Sequence, residues 1–277
     1  MRVCGSSVSD NMATPCLAPT LCEYPAMQLH GDARIALLAQ LIDHAPLFPP
    51  ASLPLPLAVA EDERARGSQN AFMLARFVCP ATLLAELPDV GRGVTVVLDG
   101  PLPARSGVGS VEAVETRLGD ELATLASLAP EVYVEVPLDN GVEERLHALR
   151  ANGLRAKVRC GGTTVPSTES LAAFVRGCRT RDLVFKATAG LHHAVRANGE
   201  HGFLNLLAAV VFGDEENALI ERDPSAFELH ADAFTWRSRT APAEELAAIR
   251  RNRFHSIGSC SFFEPAKELE ALGVLPL

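Results

Sequence analysis

Residues 183–193 read LVFKATAGLHH, a short apolar run that ends in a lysine, small residues and two adjacent histidines. The apolar part has the length and the residue types of a strand that is buried on both faces of a parallel sheet. The polar residues then lie at the C-terminal end of that strand. In barrel enzymes the active site lies at this end of the strands. We therefore predict that residues 183–188 form a strand whose end is the floor of an active site.

Similar strand-like runs lie on both sides of this stretch, and segments with helical periodicity separate them. The strand-like runs are 72–79, 94–99, 132–136, 155–160, 183–188 and 255–262, with a weaker candidate at 227–236. The helical stretches are 32–42, 56–66, 81–87, 111–127, 141–152, 167–178, 201–212, 215–222, 243–253 and 265–272. This alternation predicts βαβ units and a parallel sheet.

The length of the chain favours a closed barrel over an open sheet. A TIM barrel has eight strands in about 250 residues, and residues 28–277 supply that length. An open doubly wound sheet is the alternative, but no G-x-G-x-x-G motif follows the first strand-like run. We predict an α/β fold, a TIM-type (β/α)8 barrel of irregular form, as a single domain over residues 28–277. Residues 1–27 lack periodicity, which predicts a disordered N-terminal extension.

The composition argues against several classes of partner. The formal net charge is −9, without a long basic run, which disfavours nucleic acid. The sequence contains no run of 18 consecutive apolar residues, so it predicts no membrane span. The seven cysteines are scattered and include no C-x-x-C pair, which favours a reducing compartment over a disulfide framework or a structural zinc site. We predict a cytoplasmic protein without a cofactor or a bound metal, and we leave the oligomeric state open.

Charged residues inside the predicted strands are the main functional signal. The strands of a covered parallel sheet are normally apolar throughout, yet Lys157 and Lys186 lie inside two of them. Side chains two residues apart share a face of a strand, which groups Lys157 with Arg159 and Lys186 with Thr188. Glu135, on the preceding strand, can neutralise Lys157. The remaining positive excess favours a small anionic metabolite as ligand, and a structural ion-pair layer inside the barrel is the alternative.

The segments that follow these strands add candidate ligands for such a metabolite. A glycine pair before a helix N-terminus can hold a phosphate or carboxylate through its backbone amides. Polar side chains in the same loops can bind or orient the rest of the ligand. The predicted substrate-binding residues are Arg159, Gly161, Gly162, Thr188, His192, His193, Arg196, His201, Asn205 and Ser259. The predicted catalytic residues are Lys186, Lys157, Glu135 and Asp99.

Several of these motifs resemble known families. The runs LIDHAPLFPP (41–50), FKATAGLHH (185–193), HGFLN (201–205) and GSCSFFEP (258–265) resemble a family of bacterial proteins over residues 28–277, a likeness that implies no particular chemistry.

The chain also resembles class I aldolases of the deoxyribose-phosphate aldolase kind. Those enzymes are TIM barrels with a Schiff-base lysine on one strand, a second lysine on the next strand and an upstream aspartate. The resemblance matches that order with Asp99, Lys157 and Lys186. The adjacent histidines His192 and His193 have no counterpart in it. Which of the two lysines is the nucleophile stays open.

The first functional hypothesis is a lyase of the aldolase type that forms a Schiff base with a carbonyl metabolite. The attacking amine must be unprotonated, and desolvation beside another cation lowers the pKa of a lysine. The predicted proximity of Lys157, Arg159 and Lys186 inside the barrel would place each lysine beside another cation. Asp99 or Glu135 then transfers protons.

Two other hypotheses use the same residues differently. One is a metal-assisted hydrolase or isomerase, and the other is a non-catalytic binding protein for an anionic metabolite, which needs no perturbed lysine. The groups of the metal-assisted reaction are His192 or His193, His201, Asp99 and Glu135.

Overall fold

The computed structural model describes residues 31–101, 110–119 and 122–277. Residues 31–277 form one compact unit. The predicted start of the domain at residue 28 and the predicted disordered extension over residues 1–27 lie outside the described residues. Within the described ranges, no helix combines the length and the apolar character needed to cross a membrane.

The strands of the described residues form one closed barrel and one small sheet. The strands are β1 (Ile42–His44), β2 (Leu74–Pro80), β3 (Val94–Val97), β4 (Val111–Arg117), β5 (Glu131–Glu135), β6 (Arg155–Arg159), β7 (Phe185–Thr188), β8 (Phe227–Leu229), β9 (Ala233–Trp236), β10 (Arg239–Pro242) and β11 (Phe254–Ser259). Strands β1 to β7 and β11 close in that order into an eight-stranded parallel barrel, while β8 to β10 form an antiparallel sheet. The predicted TIM-type (β/α)8 barrel is confirmed, and the open doubly wound alternative is wrong.

The helices of the described residues connect these strands. They are α1 (Ala33–Leu38), α2 (Leu55–Arg66), α3 (Leu122–Leu125), α4 (Val142–Ala151), α5 (Thr168–Thr180), α6 (Phe203–Phe212), α7 (Glu215–Ile220), α8 (Ala243–Asn252) and α9 (Phe263–Ala271). The barrel is irregular in two places. Only a short 3₁₀ helix, Ala81–Leu83, follows β2 where the sequence predicts a helix over 81–87, and a long insertion from α6 to α8 separates β7 from β11. The weak strand candidate over 227–236 supplies β8 and β9 of that insertion.

Two barrel strands are absent from the sequence prediction. The predicted helix over 111–127 is wrong, because residues 111–117 form β4. Val111 and Val114 have helical spacing, and a register shift at the start of β4 interrupts the alternation that marks a strand. Strand β1 has three residues and follows α1 closely, so its apolar residues continue the helical spacing of residues 32–42.

The apolar core lies between the barrel and the helices. Phe185 on β7 points outward and packs edge-to-face on Phe174 of α5, with ring centroids 5.3 Å apart. Phe254 of β11 lies on the other side of Phe185, at 5.0 Å. All residues of α6 except Phe212 are buried. Because the outward faces of the strands supply this core, the inward faces can carry polar side chains.

Candidate active site

Lys157 on β6 and Lys186 on β7 face the interior of the barrel. The two residues are Cα partners in a parallel pair, so their side chains lie on the same face of the sheet. Lys186 Nζ also contacts Asp43 on β1 and Glu115 on β4. Neither strand is a neighbour of β7, and such contacts form only across the interior. The prediction that both amines face inward is confirmed.

The two amines belong to a cluster that we call the charged layer, which consists of Asp43, Glu115, Glu135, Lys157 and Lys186. Lys157 Nζ lies 2.9 Å from Glu115 Oε2 and 3.0 Å from Glu135 Oε2. Lys186 Nζ donates to Glu115 Oε1 at 2.6 Å and also to Asp43 Oδ2. The predicted Glu135–Lys157 pair is confirmed. The predicted positive excess in this layer is wrong, because three carboxylates surround the two ammonium groups.

The electrostatics of the charged layer favour the ionised forms of Glu115 and Lys186. Burial by itself raises the pKa of Glu115, but Lys157 and Lys186 outweigh burial and lower that pKa to about 2. Burial by itself lowers the pKa of Lys186, but Asp43 and Glu115 raise it well above the usual lysine value. The expectation that desolvation beside a cation lowers the pKa of the lysine is therefore wrong for Lys186.

Asp43 holds Lys186 in a fixed position. Its carboxylate accepts hydrogen bonds from Ser256 Oγ at 2.7 Å and from the backbone N–H of Arg76 at 3.1 Å. Lys186 Nζ lies 5.4 Å from the ring centroid of Tyr133, a distance at which a cation is attracted to the face of an aromatic ring. Lys186 is therefore a rigid, enclosed cation.

The exposed fraction of the side chains separates the two lysines. Lys186 and Asp43 are 0% exposed, whereas Lys157 is 7% and Glu135 is 24% exposed. Glu135 is the last residue of β5, and Lys157 is its Cα partner on β6. A small molecule that enters from the C-terminal side of the barrel therefore reaches Lys157 and Glu135 first.

A second ion network fills the N-terminal end of the barrel. Glu131 pairs with Arg76 at 2.8 Å and with Arg155. Tyr133 Oη lies 2.7 Å from both Glu131 Oε2 and His255 Nδ1. Burial raises the pKa of Glu131, but its bonds to His255, Arg76 and Arg155 lower it far below the usual range. This network occupies the N-terminal end of the interior, and barrel enzymes bind their substrates at the other, C-terminal end.

Asp99 does not join the charged layer. It is exposed after β3 and accepts hydrogen bonds from Thr82 Oγ1 at 2.6 Å and from the Thr82 backbone N–H at 3.1 Å. These bonds lower its pKa. In the described ranges it has no hydrogen bond or ion pair with either lysine. The prediction that Asp99 lies beside the lysines is therefore wrong. Asp43 and Glu115 are the carboxylates that contact them there, together with Glu135.

The glycine pair after β6 has a packing function that the sequence does not predict. Gly161 is buried, and a Cβ placed on it would lie 2.6 Å from the Cα of Gly190 in the loop after β7. Gly162 adopts φ +102° and lies under the guanidinium of Arg159. Thr188 faces the same interior as Arg159, because the two are Cα partners. Contact of these four residues with a substrate stays a prediction.

Substitution of Gly161 tests this close approach. Gly161→Ala should lower the free energy of unfolding by about 1–3 kcal/mol, because the added methyl group meets backbone atoms that cannot rotate away. Chemical denaturation of both proteins measures the loss. Gly67→Ala is the control, since the nearest atom lies 3.6 Å from its Cβ position. Equal stability of Gly161→Ala and the parent protein would contradict the close approach of the two loops.

The adjacent histidines after β7 both point to one helix. His192 Nδ1 lies 2.9 Å from Glu264 Oε2, and His193 Nδ1 lies 3.6 Å from Glu268 Oε1. Both glutamates belong to α9, one turn apart. The two adjacent histidines therefore contact the same helix. The loop after β7 is thereby attached to α9.

His201, Asn205 and Arg196 hold the same loop against α6 and α7. His201 Nε2 lies 2.9 Å from the carbonyl oxygen of Pro166, and its Nδ1 lies 2.9 Å from Arg196. Asn205 accepts from the Arg196 backbone N–H and donates to two carbonyl groups near the end of α7. Burial lowers the pKa of His201. Each polar atom of the His201 and Asn205 side chains is thus occupied within the chain, so a contact with substrate requires these bonds to break.

Ser259 lies on the outward face of β11. Its Cα partner is His44, whose ring packs outside the barrel against Asp62 of α2 at 2.8 Å. Ser259 Oγ donates to the carbonyl oxygen of Ser261. The predicted substrate contact of Ser259 is corrected, because the inward hydroxyl of β11 is that of Ser256.

Asp43 and Glu115 are the site residues that the sequence reasoning misses. Asp43 is a carboxylate within an otherwise apolar LID run, which is the same signal that identifies the two lysines. Glu115 lies in a segment whose spacing suggests a helix. Recognition of β1 and β4 as strands would have placed both residues in the layer.

Comparisons with known proteins add no assignment: the chain matches no protein-family model, no curated protein and no solved structure. The metal-assisted hypothesis has no geometric support in the described residues, where no group of three histidine, cysteine or carboxylate side chains is arranged to hold a metal ion. The functional proposal therefore depends on the charged layer alone.

Proposed function

We propose that this protein is an enzyme of the lyase or aldolase type that acts on a small anionic carbonyl metabolite through a Schiff base with Lys157. The proposal is carried by the position of Lys157, which lies between Glu115 and Glu135 and is less completely buried than Lys186. Lys186, on the adjacent strand, is enclosed and fixed by two carboxylates. The resemblance to class I aldolases, with lysines on two consecutive strands, supports the same reading.

The carboxylates around Lys157 suit the intermediate of such a reaction. An iminium ion carries the same positive charge as the ammonium group that it replaces, so Glu115 and Glu135 stabilise both without rearrangement. The amine needs to lose its proton only for the attack on the carbonyl carbon. Glu135 lies 3.0 Å from Lys157 Nζ and is the more exposed of the two carboxylates, so it accepts this proton.

The same proton completes the condensation. Addition of the neutral amine to the carbonyl carbon gives a carbinolamine. Glu135 returns its proton to the carbinolamine hydroxyl, which leaves as water while the nitrogen lone pair forms the C=N bond. The iminium then accepts the electron pair of the substrate's Cα–Cβ bond and becomes an enamine as that bond breaks. The hydroxyl group on Cβ gives its proton to Glu135, which is ionised again at this stage, and becomes the carbonyl group of the leaving fragment. Lys186 stays protonated and keeps Glu115 ionised throughout.

Reductive trapping tests the proposal. The chain has three lysines, Lys157, Lys186 and Lys267, so an adduct is easily assigned by peptide mass spectrometry. Incubation with small aldehydes and ketones, with and without a phosphate or carboxylate group, followed by borohydride should label Lys157. Lys186 should stay unlabelled because it is enclosed and protonated. Exposed Lys267 on α9 reports nonspecific labelling within the same sample.

The outcome of this experiment separates the hypotheses. Labelling of Lys157 well above Lys267, and its loss in Glu135→Gln, would support the Schiff-base reaction. Labelling of Lys157 no higher than that of Lys267 with every carbonyl compound would overturn it. Binding of an anionic metabolite without any adduct would then favour a non-catalytic binding protein.

A further inference from the structure

Two arginines lie above the charged layer at the C-terminal end of the barrel. Arg117 lies two residues beyond Glu115 on β4, and Arg159 lies two residues beyond Lys157 on β6. Side chains two residues apart share a face of a strand, so both arginines continue the inward rows. Both are exposed, and neither guanidinium has a hydrogen bond or an ion pair with the residues that the structure describes.

Two carboxylates on β5 and in the loop after it already have other partners. Glu135 is the Cα partner of Arg117 but pairs with Lys157. Asp139, in the loop after β5, pairs with Arg145 of α4. The two arginines therefore present their charge to the entrance of the barrel.

The charge of the layer determines how an anionic substrate is oriented. The layer holds three carboxylates and two ammonium groups, so an anionic group beside it is repelled. Arg117 and Arg159 offer two positive charges about 6.6 Å further along the strands, at roughly 3.3 Å per residue. The anionic end thus binds at the entrance, and the carbonyl end extends toward Lys157.

Two apolar side chains line the interior on the side of β4 that faces away from β5. Val97 on β3 is the Cα partner of Glu115, and Pro80 on β2 is the partner of Val97, so both side chains line the same interior. Arg117 and Arg159 place their positive charge on the β4–β6 side of the barrel, above Lys157. A ligand that binds both arginines holds its carbon chain over the charged layer.

We propose that Arg117 and Arg159 form a phosphate clamp that selects small carbonyl compounds bearing a phosphate monoester. The inference rests on the proposed Schiff-base reaction, whose substrate it specifies. Two guanidinium groups match the charge of a phosphate dianion, and each binds phosphate oxygens with paired hydrogen bonds. A monocarboxylate offers one negative charge and two oxygens, so it can satisfy only one of the arginines fully.

Titration calorimetry with inorganic phosphate tests the clamp without any chemistry. The intact chain should bind phosphate, and Arg117→Gln and Arg159→Gln should each weaken binding roughly tenfold, the magnitude of one charge-assisted hydrogen bond. Acetate should bind more weakly than phosphate to the parent protein. Arg251→Gln is the matched control, because Arg251 is exposed in the last turn of α8 at the opposite end of the barrel. Absent phosphate binding, or binding that all three variants retain, would overturn the clamp.

A pair of aldehydes separates the clamp from the Schiff base. Borohydride trapping with glycolaldehyde phosphate should label Lys157 at a concentration at least tenfold lower than with glycolaldehyde, and the two arginine variants should remove this difference. Labelling by both aldehydes at the same concentration would contradict the phosphate clamp but would still support the Schiff base. Arginine-dependent phosphate binding without an adduct at Lys157 would keep the clamp and remove the Schiff base.

Discussion

Lys186→Met should lower the free energy of unfolding by about 3–5 kcal/mol, the usual loss when one partner of a buried ion pair is removed. Asp43 would then remain buried without its ammonium partner, and Glu115 would keep only Lys157. For a domain of this size the melting temperature should fall by roughly 10 °C, at about 2–4 °C per kcal/mol. Thermal and chemical denaturation measure both quantities.

Two further variants show whether this loss of stability comes from the buried carboxylate that is left without its ammonium partner. Lys267→Met makes the same chemical change on the exposed face of α9 and should leave stability within about 0.5 kcal/mol of the parent protein. The double variant Asp43→Asn/Lys186→Met should be more stable than the sum of the two single losses predicts, because residues in contact are energetically coupled. If the two losses simply add, Lys186 and Asp43 do not form the buried pair described above.

The part of this site that the sequence predicts is the part encoded locally. Lys157 and Lys186 lie inside short apolar runs, and a charge in a covered strand requires a partner or a function. The alternation of strands and helices predicts that their two strands are adjacent in the sheet, and the two lysines then lie on the same face. The N-cap of α5 is local as well, because Ser167 accepts a hydrogen bond from the backbone N–H of Ser170, three residues further along the chain, at 3.2 Å.

The partners of the lysines are not encoded locally. Lys186 meets Asp43 across 143 positions of sequence and Glu115 across 71 positions, and both contacts depend on closure of the barrel. A pattern of hydrophobicity gives no information on which strands face each other across a closed interior. For this reason the sequence predicts a cationic site, whereas the folded chain has more carboxylates than amines in the charged layer.

Glu115→Gln is expected to remove a large and pH-dependent contribution to stability. The pKa of Glu115 falls from 4.5 to about 2 on folding, because Lys157 and Lys186 outweigh the effect of burial. A lowered carboxyl pKa stabilises the fold above the unfolded-state value, and this contribution is lost as the pH falls from 4.5 toward 2. The shift corresponds to roughly 3 kcal/mol at neutral pH, at about 1.4 kcal/mol per pKa unit.

The size of this loss should therefore depend on pH in a defined direction. Denaturation at pH 7 should show the full difference between Glu115→Gln and the parent protein, and the difference should shrink as the pH falls through the window from about 4.5 to about 2. Glu144→Gln is the control, since Glu144 is exposed on α4 and should match the parent protein at every pH. A difference that stays constant down to pH 2 would mean that the variant loses packing and not the charge that bridges the two lysines. In that case Glu115 does not hold the ionised, bridging position on which the proposed role of Lys157 depends.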